Sequence, residues 1–177
     1  MQAFDRRNRP VARAVSAAAT PGELRLLRAV ERYDQGRRAL WWAVRALGAL
    51  SLLAVGAIHL HEYFFLYSTI PTIGTLFVLN FAGATALGLG LLAPVERLLG
   101  RWGGVSVALL TLGGIGLAAS SFVFLLISER TPLFGFQEPG YDPPGLMASR
   151  VAELITVGLL GVFLLSRVAR RIRVGRW

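Results

Sequence analysis

Cysteine is absent from this 177-residue chain. That excludes disulfides in its loops, thiol catalysis and thiolate metal sites. Motifs for nucleotide or hydrolytic chemistry are absent too. No phosphate loop, dinucleotide fingerprint, HExxH zinc motif or GxSxG elbow occurs. Gly88-Leu89-Gly90 lies inside an apolar run and reads as packing, and the serines have no credible catalytic neighbours. Charge is scarce, at 16% of residues against 54% apolar. A soluble domain of this length would carry more charge and clear amphipathic periods.

What the chain has is four long apolar runs, at Ala39–Leu60, Ile70–Ala93, Val105–Ile127 and Leu146–Leu165. Each is long enough, as a helix, to cross a hydrocarbon core of ~30 Å. The second and third carry no charge. The first carries Arg45 about one turn inside its start, where a long side chain can snorkel to the headgroups. The fourth carries Arg150 and Glu153 near its start. Lipid offers no partner to an exposed backbone, so each run must be a helix or a barrel strand. Strands need only ~10 alternating residues, and these runs are longer and apolar on every side. The expected fold is all-α: a polytopic four-transmembrane-helix bundle with an N-terminal amphipathic interfacial helix. The chain has room for no second domain.

All 19 basic residues are arginine. Ten lie between Arg6 and Arg45, two at Arg97 and Arg101, and five between Arg167 and Arg176, which the alternation of spans puts on one side. Only Arg130 and Arg150 fall on the other. The positive-inside rule then predicts cytoplasmic N- and C-termini. The ten acidic residues divide equally, so the inner side is +12 and the outer side −3, consistent with the net +9. A balance this basic can signal nucleic acid. Arginines flanking apolar spans are better explained by anionic lipid headgroups, and no nucleic-acid partner is expected. Trp41, Trp42 and Trp102 fall at the predicted inner interface, and Tyr63, Phe64, Phe65 and Tyr67 at the outer one, as aromatic belts do.

Residues 1–38 form a basic segment without an apolar stretch of signal-peptide type, so the first span is expected to be its own insertion signal. Within it, residues 1–19 show no period. Thr20-Pro21-Gly22-Glu23 reads as a capping box with proline in the first turn. The segment after it, about 21–37, mixes Leu24, Leu27, Val30 and Tyr33 with Arg25, Arg28 and Arg32. That pattern suits a helix lying on the inner face, or an exposed extension of the first span. The transmembrane domain covers 39–169, and 170–177 is a basic tail. The short inner connection around Pro94–Gly104 makes the second and third spans antiparallel neighbours. The connection Ser128–Gly145 is the longest, and its aromatics Phe134, Phe136 and Tyr141 are expected to fold against the bundle mouth.

Small residues recur at four-residue spacing: Ala82, Ala86 and Gly90, with Ala84 and Gly88 beside them, then Gly114 with Ala118 and Gly116 with Ser120. Such stripes let helices approach closely within the bundle, or in a homo-oligomer or against a membrane-protein partner.

The polar candidates are few. His59 and His61 sit at the outer end of the first span, with Glu129, Glu138, Asp142 and Glu153 on the same side. Imidazole with carboxylate suits a metal ion, and His59, His61 and Glu153 are the candidate ligands. Two residues on a helix point ~200° apart, so both rings reach one point only if the helix bends. The alternative is that His59 bonds Glu153 or a loop carbonyl while His61 faces water. Haem held by two histidines would need them on two helices, whereas both come from one. Asn80 lies in the second span ~15 Å below its outer end. It is expected to bond a neighbouring helix, with a place on a ligand path as the alternative. Glu138 is a possible loop contact to a ligand.

Two stretches bear a resemblance. Ala57-Ile58-His59-Leu60-His61 followed by Ile70-Pro71-Thr72-Ile73-Gly74-Thr75-Leu76-Phe77 resembles a pattern in uncharacterised four-helix integral membrane proteins of high-GC Gram-positive bacteria. So does Leu133-Phe134-Gly135-Phe136-Gln137-Glu138 leading to Glu153. The resemblance covers about residues 40–165 and leaves out the basic N-terminal segment. It implies a bacterial plasma membrane and a functional region at the outer mouth. Three functions remain open: a non-enzymatic accessory or interaction protein, a metal- or small-molecule-binding protein using the outer mouth, and an oligomeric channel or transporter. The few polar residues within the spans disfavour the third.

Overall fold

Thr20 opens the first helix as its spacing predicts. Its amide and hydroxyl both donate to Glu23 Oε2, at 2.7 and 2.9 Å, and the Glu23 amide donates back to its hydroxyl at 3.4 Å. The computed structural model describes residues 20–138, 140 and 142–174. The expected basic stretch 1–19 and the end of the tail lie outside the described residues. Helix α1 runs Pro21–Glu62. A π-helical turn follows, Tyr63–Tyr67, then α2 (Pro71–Leu92), the short α3 (Val95–Leu98), a 3₁₀ turn (Gly100–Trp102), α4 (Gly103–Ser128) and α5 (Pro143–Val174). Among the described residues there is no strand, and four helices are long and apolar enough to cross a membrane. This is an all-α polytopic membrane protein.

The helix expected over about 21–37 runs into the first span without a break, the form in which it extends that span. Gly36 is the one glycine there beyond the first turn, and a lone glycine costs only about 1 kcal/mol. The chain nevertheless divides into two units, with the boundary between Trp41 and Trp42. In the first, Leu26, Leu27, Val30 and Tyr33 are all exposed. The arginines interleaved with them are exposed too.

In the second unit the core is built where small residues meet. Ala49, Leu52, Ala84, Leu91 and Leu160 form a buried cluster drawn from α1, α2 and α5, and Val95, Val107 and Phe163 form a second. Of the small-residue stripes, Ala84–Gly88 and Gly114–Ala118 face inward, while Ala82, Ala86, Gly116 and Ser120 are exposed. Gly56 packs on Ala84 so closely that a Cβ there would stand 2.9 Å from the Ala84 methyl. A methyl on a helix backbone cannot move aside. Gly56→Leu is therefore expected to lower stability by about 1–3 kcal/mol, read as a lower melting temperature in micelles. Gly116→Leu, with nothing within 4 Å, should melt with the wild type. Polar glue joins α1 to α5: Ser51 donates to the Ala152 carbonyl at 3.0 Å and accepts from Thr156 at 2.9 Å.

Arg45 does not snorkel. It is 7% exposed, and its guanidinium is fully engaged inside the protein. Nε donates to the Leu91 carbonyl at 2.6 Å and Nη2 to the Ala93 carbonyl at 2.8 Å. Nη1 lies 2.9 Å from both Glu96 oxygens. Leu91 and Ala93 close α2, where carbonyls have no partner in their own helix, and that of Ala93 also accepts from the Val95 amide at 2.8 Å. The planar fork answers both carbonyls and a carboxylate together. Arg167 reaches Glu96 from α5 at 3.2 Å. Burial pushes the Glu96 carboxyl up. The hydrogen bond from Arg45, its own amide, the Arg45 charge and Arg167 outweigh that and hold it below its ordinary value of 4.5. A depressed carboxylate contributes stability in full above 4.5 and loses it as pH falls through the folded value. Acidification should therefore lower the wild-type melting temperature more than that of Glu96→Gln. Equal acid losses in the two would remove the clamp as the cause.

Candidate functional site

The last two turns of α1 present His59 and Glu62 on the face that also carries Leu52, Val55 and Gly56 into the core. His59 Nδ1 lies 2.9 Å from the Val55 carbonyl. A carbonyl only accepts, so Nδ1 carries the hydrogen, and in the neutral ring Nε2 is an acceptor. Ser121 of α4 lies 3.3 Å from Nε2 and can donate to it. Asn80 of α2 donates to Ser121 at 2.5 Å, so three helices meet in one chain of hydrogen bonds. The expected interhelical bond of Asn80 is present, while its Oδ1 is buried with no partner.

Glu153 approaches from α5. It is 1% exposed, and its Oε1 stands 3.8 Å from His59 Nε2. Ser149, one turn before it, donates to that same oxygen at 3.1 Å. Glu153 Oε2 has no hydrogen-bond partner at all. Arg150 does not supply one: it pairs with Glu129.

The π turn redirects the aromatics that follow. Phe64 and Phe65 stay exposed, as belt residues would. Tyr67, expected among them, is instead 3% exposed. Its ring stacks on Phe77 at 4.6 Å, and Phe77 packs against the His59 ring at 5.1 Å. Its hydroxyl donates to Glu138. The loop before α5 supplies that carboxylate through a tight turn. Phe134 and Gly135 both have positive φ, 53° and 81°, and Leu133 and Phe136 pair across them. The turn sets the Phe136 ring edge-on to Tyr67 at 5.8 Å and leaves Phe134 exposed. Of the loop aromatics expected at the mouth, Phe136 is there, Phe134 is not, and Tyr141 lies outside the described residues. Glu138 is anchored further by the Gly140 amide at 2.8 Å. Glu62 hydrogen-bonds Asp142. Gly145 lies so close under both carboxyls that any Cβ there would collide with them.

These groups enclose a cavity of about 100 Å³. Its walls are largely apolar, including Ile58, Ile73, Leu76, Phe124, Leu125 and Leu133. Its polar lining includes His59, Glu62, Tyr67, Glu138 and Glu153, with Ser121, Ser128 and Ser149.

Of the residues singled out in the sequence, the structure brings His59, Glu153 and Glu138 to one cavity and places Asn80 one hydrogen bond behind it. It leaves His61 aside. That ring is exposed and stacks on Phe65 at 5.8 Å. Among the described residues, no group of three or more His, Cys, Asp or Glu is arranged to hold a metal ion. Sequence reasoning missed Glu62, Tyr67, Ser121 and Ser149 as site residues. A signal existed for three of them. Glu62 follows His59 by three residues, Ser149 precedes Glu153 by four, and Ser121 continues the Gly114–Ala118 stripe. The π turn that turns Tyr67 inward has no such signature. Compared with known protein families, curated proteins and solved structures, the chain matches none.

Proposed function

We propose that this membrane protein binds a small molecule in the cavity between its four helices, with the arginine-rich ends in the cytoplasm and the cavity opening toward the outer side of a bacterial plasma membrane. The arginine asymmetry supports the orientation. One observation carries the function: Glu153 lines a cavity, and its Oε2 is shut off from solvent and has no partner. An unsatisfied buried oxygen costs about 1–3 kcal/mol, and such groups inside a membrane protein mark functional sites. A molecule that donates a hydrogen bond to Glu153 would remove that cost. His59, Tyr67 and Glu138 are already ordered by their own bonds, so the site is formed before the ligand arrives. The geometry favours this over an accessory protein that works through its lipid-facing surface, since that role needs no polar cavity. It favours a neutral or cationic organic ligand over a metal, because His59 and Glu153 supply two donors and His61 faces away.

Native mass spectrometry of protein extracted gently from its own membrane tests this. The expected spectrum shows a small-molecule adduct on the wild type that is lost in Glu153→Leu. A bare chain, or one carrying only lipid or another protein, would overturn the reading and leave the accessory role as the better account.

A further inference from the structure

On the reading that the cavity binds a small molecule, we propose that its ligand is a small organic cation: a protonated amine attached to a compact apolar or aromatic body. Three carboxyl side chains line the cavity, Glu62, Glu138 and Glu153, and no lysine or arginine does. The one arginine on the same stretch of α5, Arg150, is paired with Glu129 and does not line it. Among the described residues three buried side-chain atoms lack a partner; Arg150 Nε is a donor but belongs to a residue that does not line the cavity, and the other two are complementary to a donor. Glu153 Oε2 can only accept when ionised, and the Asn80 oxygen behind Ser121 also accepts. His59 turns its Nε2 lone pair to Ser121 and has no second N–H, so it supplies no hydrogen to the free oxygen of Glu153.

The aromatic groups point the same way. Tyr67, Phe77 and Phe136 pack successively on one another, with the Glu138 carboxylate held at the Tyr67 hydroxyl. Ring faces beside carboxylates attract an ammonium through the ring quadrupole, and more strongly where water is excluded. The aliphatic side chains around them suit the ligand's carbon body. Size is limited: at ~10–15 Å³ per water-sized centre, a cavity of this volume takes roughly seven to ten non-hydrogen atoms. An anion would meet three carboxyls and no cation. A neutral alcohol could satisfy Glu153 Oε2 but would leave the aromatic faces and the remaining negative field unused.

The test uses the full chain in phosphatidylcholine nanodiscs, whose neutral lipid gives amines no surface to crowd onto. Binding of benzylamine, benzyl alcohol and benzoate, three molecules of nearly one shape and three charges, is followed by calorimetric titration. The expected order is benzylamine well ahead of benzyl alcohol, with benzoate not bound. Glu153→Gln keeps the shape of the site and should weaken benzylamine about tenfold or more while leaving benzyl alcohol nearly unchanged. Glu31→Gln, which removes an exposed carboxylate outside the cavity, should leave benzylamine binding as it is. Benzyl alcohol binding as tightly as benzylamine, with both weakened by Glu153→Leu, would overturn the cation and leave the small-molecule site standing. Benzylamine binding that ignores Glu153→Gln would overturn it as well. If none of the three binds the wild type, the cation proposal falls. The adduct seen or missed by native mass spectrometry then decides separately whether any small molecule occupies the cavity.

Discussion

Arg45→Ala is expected to lower stability by about 1–3 kcal/mol for the carbonyl it orphans, and by more with the packing it loses. The cost does not come mainly from the ion pair. Glu96 is 41% exposed on its side chain and keeps Arg167, so water and a second guanidinium take up its charge. It comes from the Leu91 carbonyl, which ends α2 and loses its donor, at about 1–3 kcal/mol, and to a lesser degree from the Ala93 carbonyl, which keeps the Val95 amide at 2.8 Å. Lost packing of the buried side chain adds to that. Arg45→Lys should recover only part, because an ammonium cannot present a planar fork to three acceptors. Unfolding by detergent titration would show both effects. An alanine variant that unfolds with the wild type would mean that those carbonyls find water, and the clamp would lose its energetic meaning.

Glu153→Met is expected to do the opposite. It removes a carboxylate with an unpartnered oxygen from an apolar-walled cavity, so the ligand-free protein should gain about 1–3 kcal/mol. The same substitution should abolish the adduct seen on the wild type. Stability gained as binding is lost is the signature of a group kept for function. A methionine variant that is less stable than the wild type would instead make Glu153 a structural residue, and Ser149 and His59 its supports.

The spans were legible in the sequence because hydrophobic length is a one-dimensional signal. The capping box at Thr20 was legible for the same reason, its partners lying three residues apart. Arg45 was not. Its partners are 46 to 51 residues away, and no local pattern distinguishes an arginine that snorkels from one that reaches back into the protein. The small-residue stripes were visible, but not which of them faces inward. Ala82–Ala86 and Ala84–Gly88 are equivalent until a neighbouring helix is in place. At the site, the approach of His59 and Glu153 was foreseeable from depth alone, since both lie near the same end of their spans. The inward turn of Tyr67 was hidden, because it depends on a π turn in a run of aromatics that reads equally well as a membrane belt.

The Arg45 clamp also imposes an order on the making of this protein. As the chain is synthesised, the first span emerges with its guanidinium unpaired. Its acceptors follow only when the ribosome has reached Leu91, Ala93 and Glu96. An unpaired arginine is costly to hold in hydrocarbon. The first helix is therefore expected to hold Arg45 at the headgroups until the second span and its short α3 extension arrive beside it, so that the two spans settle as a hairpin. Arg167 of α5 joins the same carboxylate once that later helix follows.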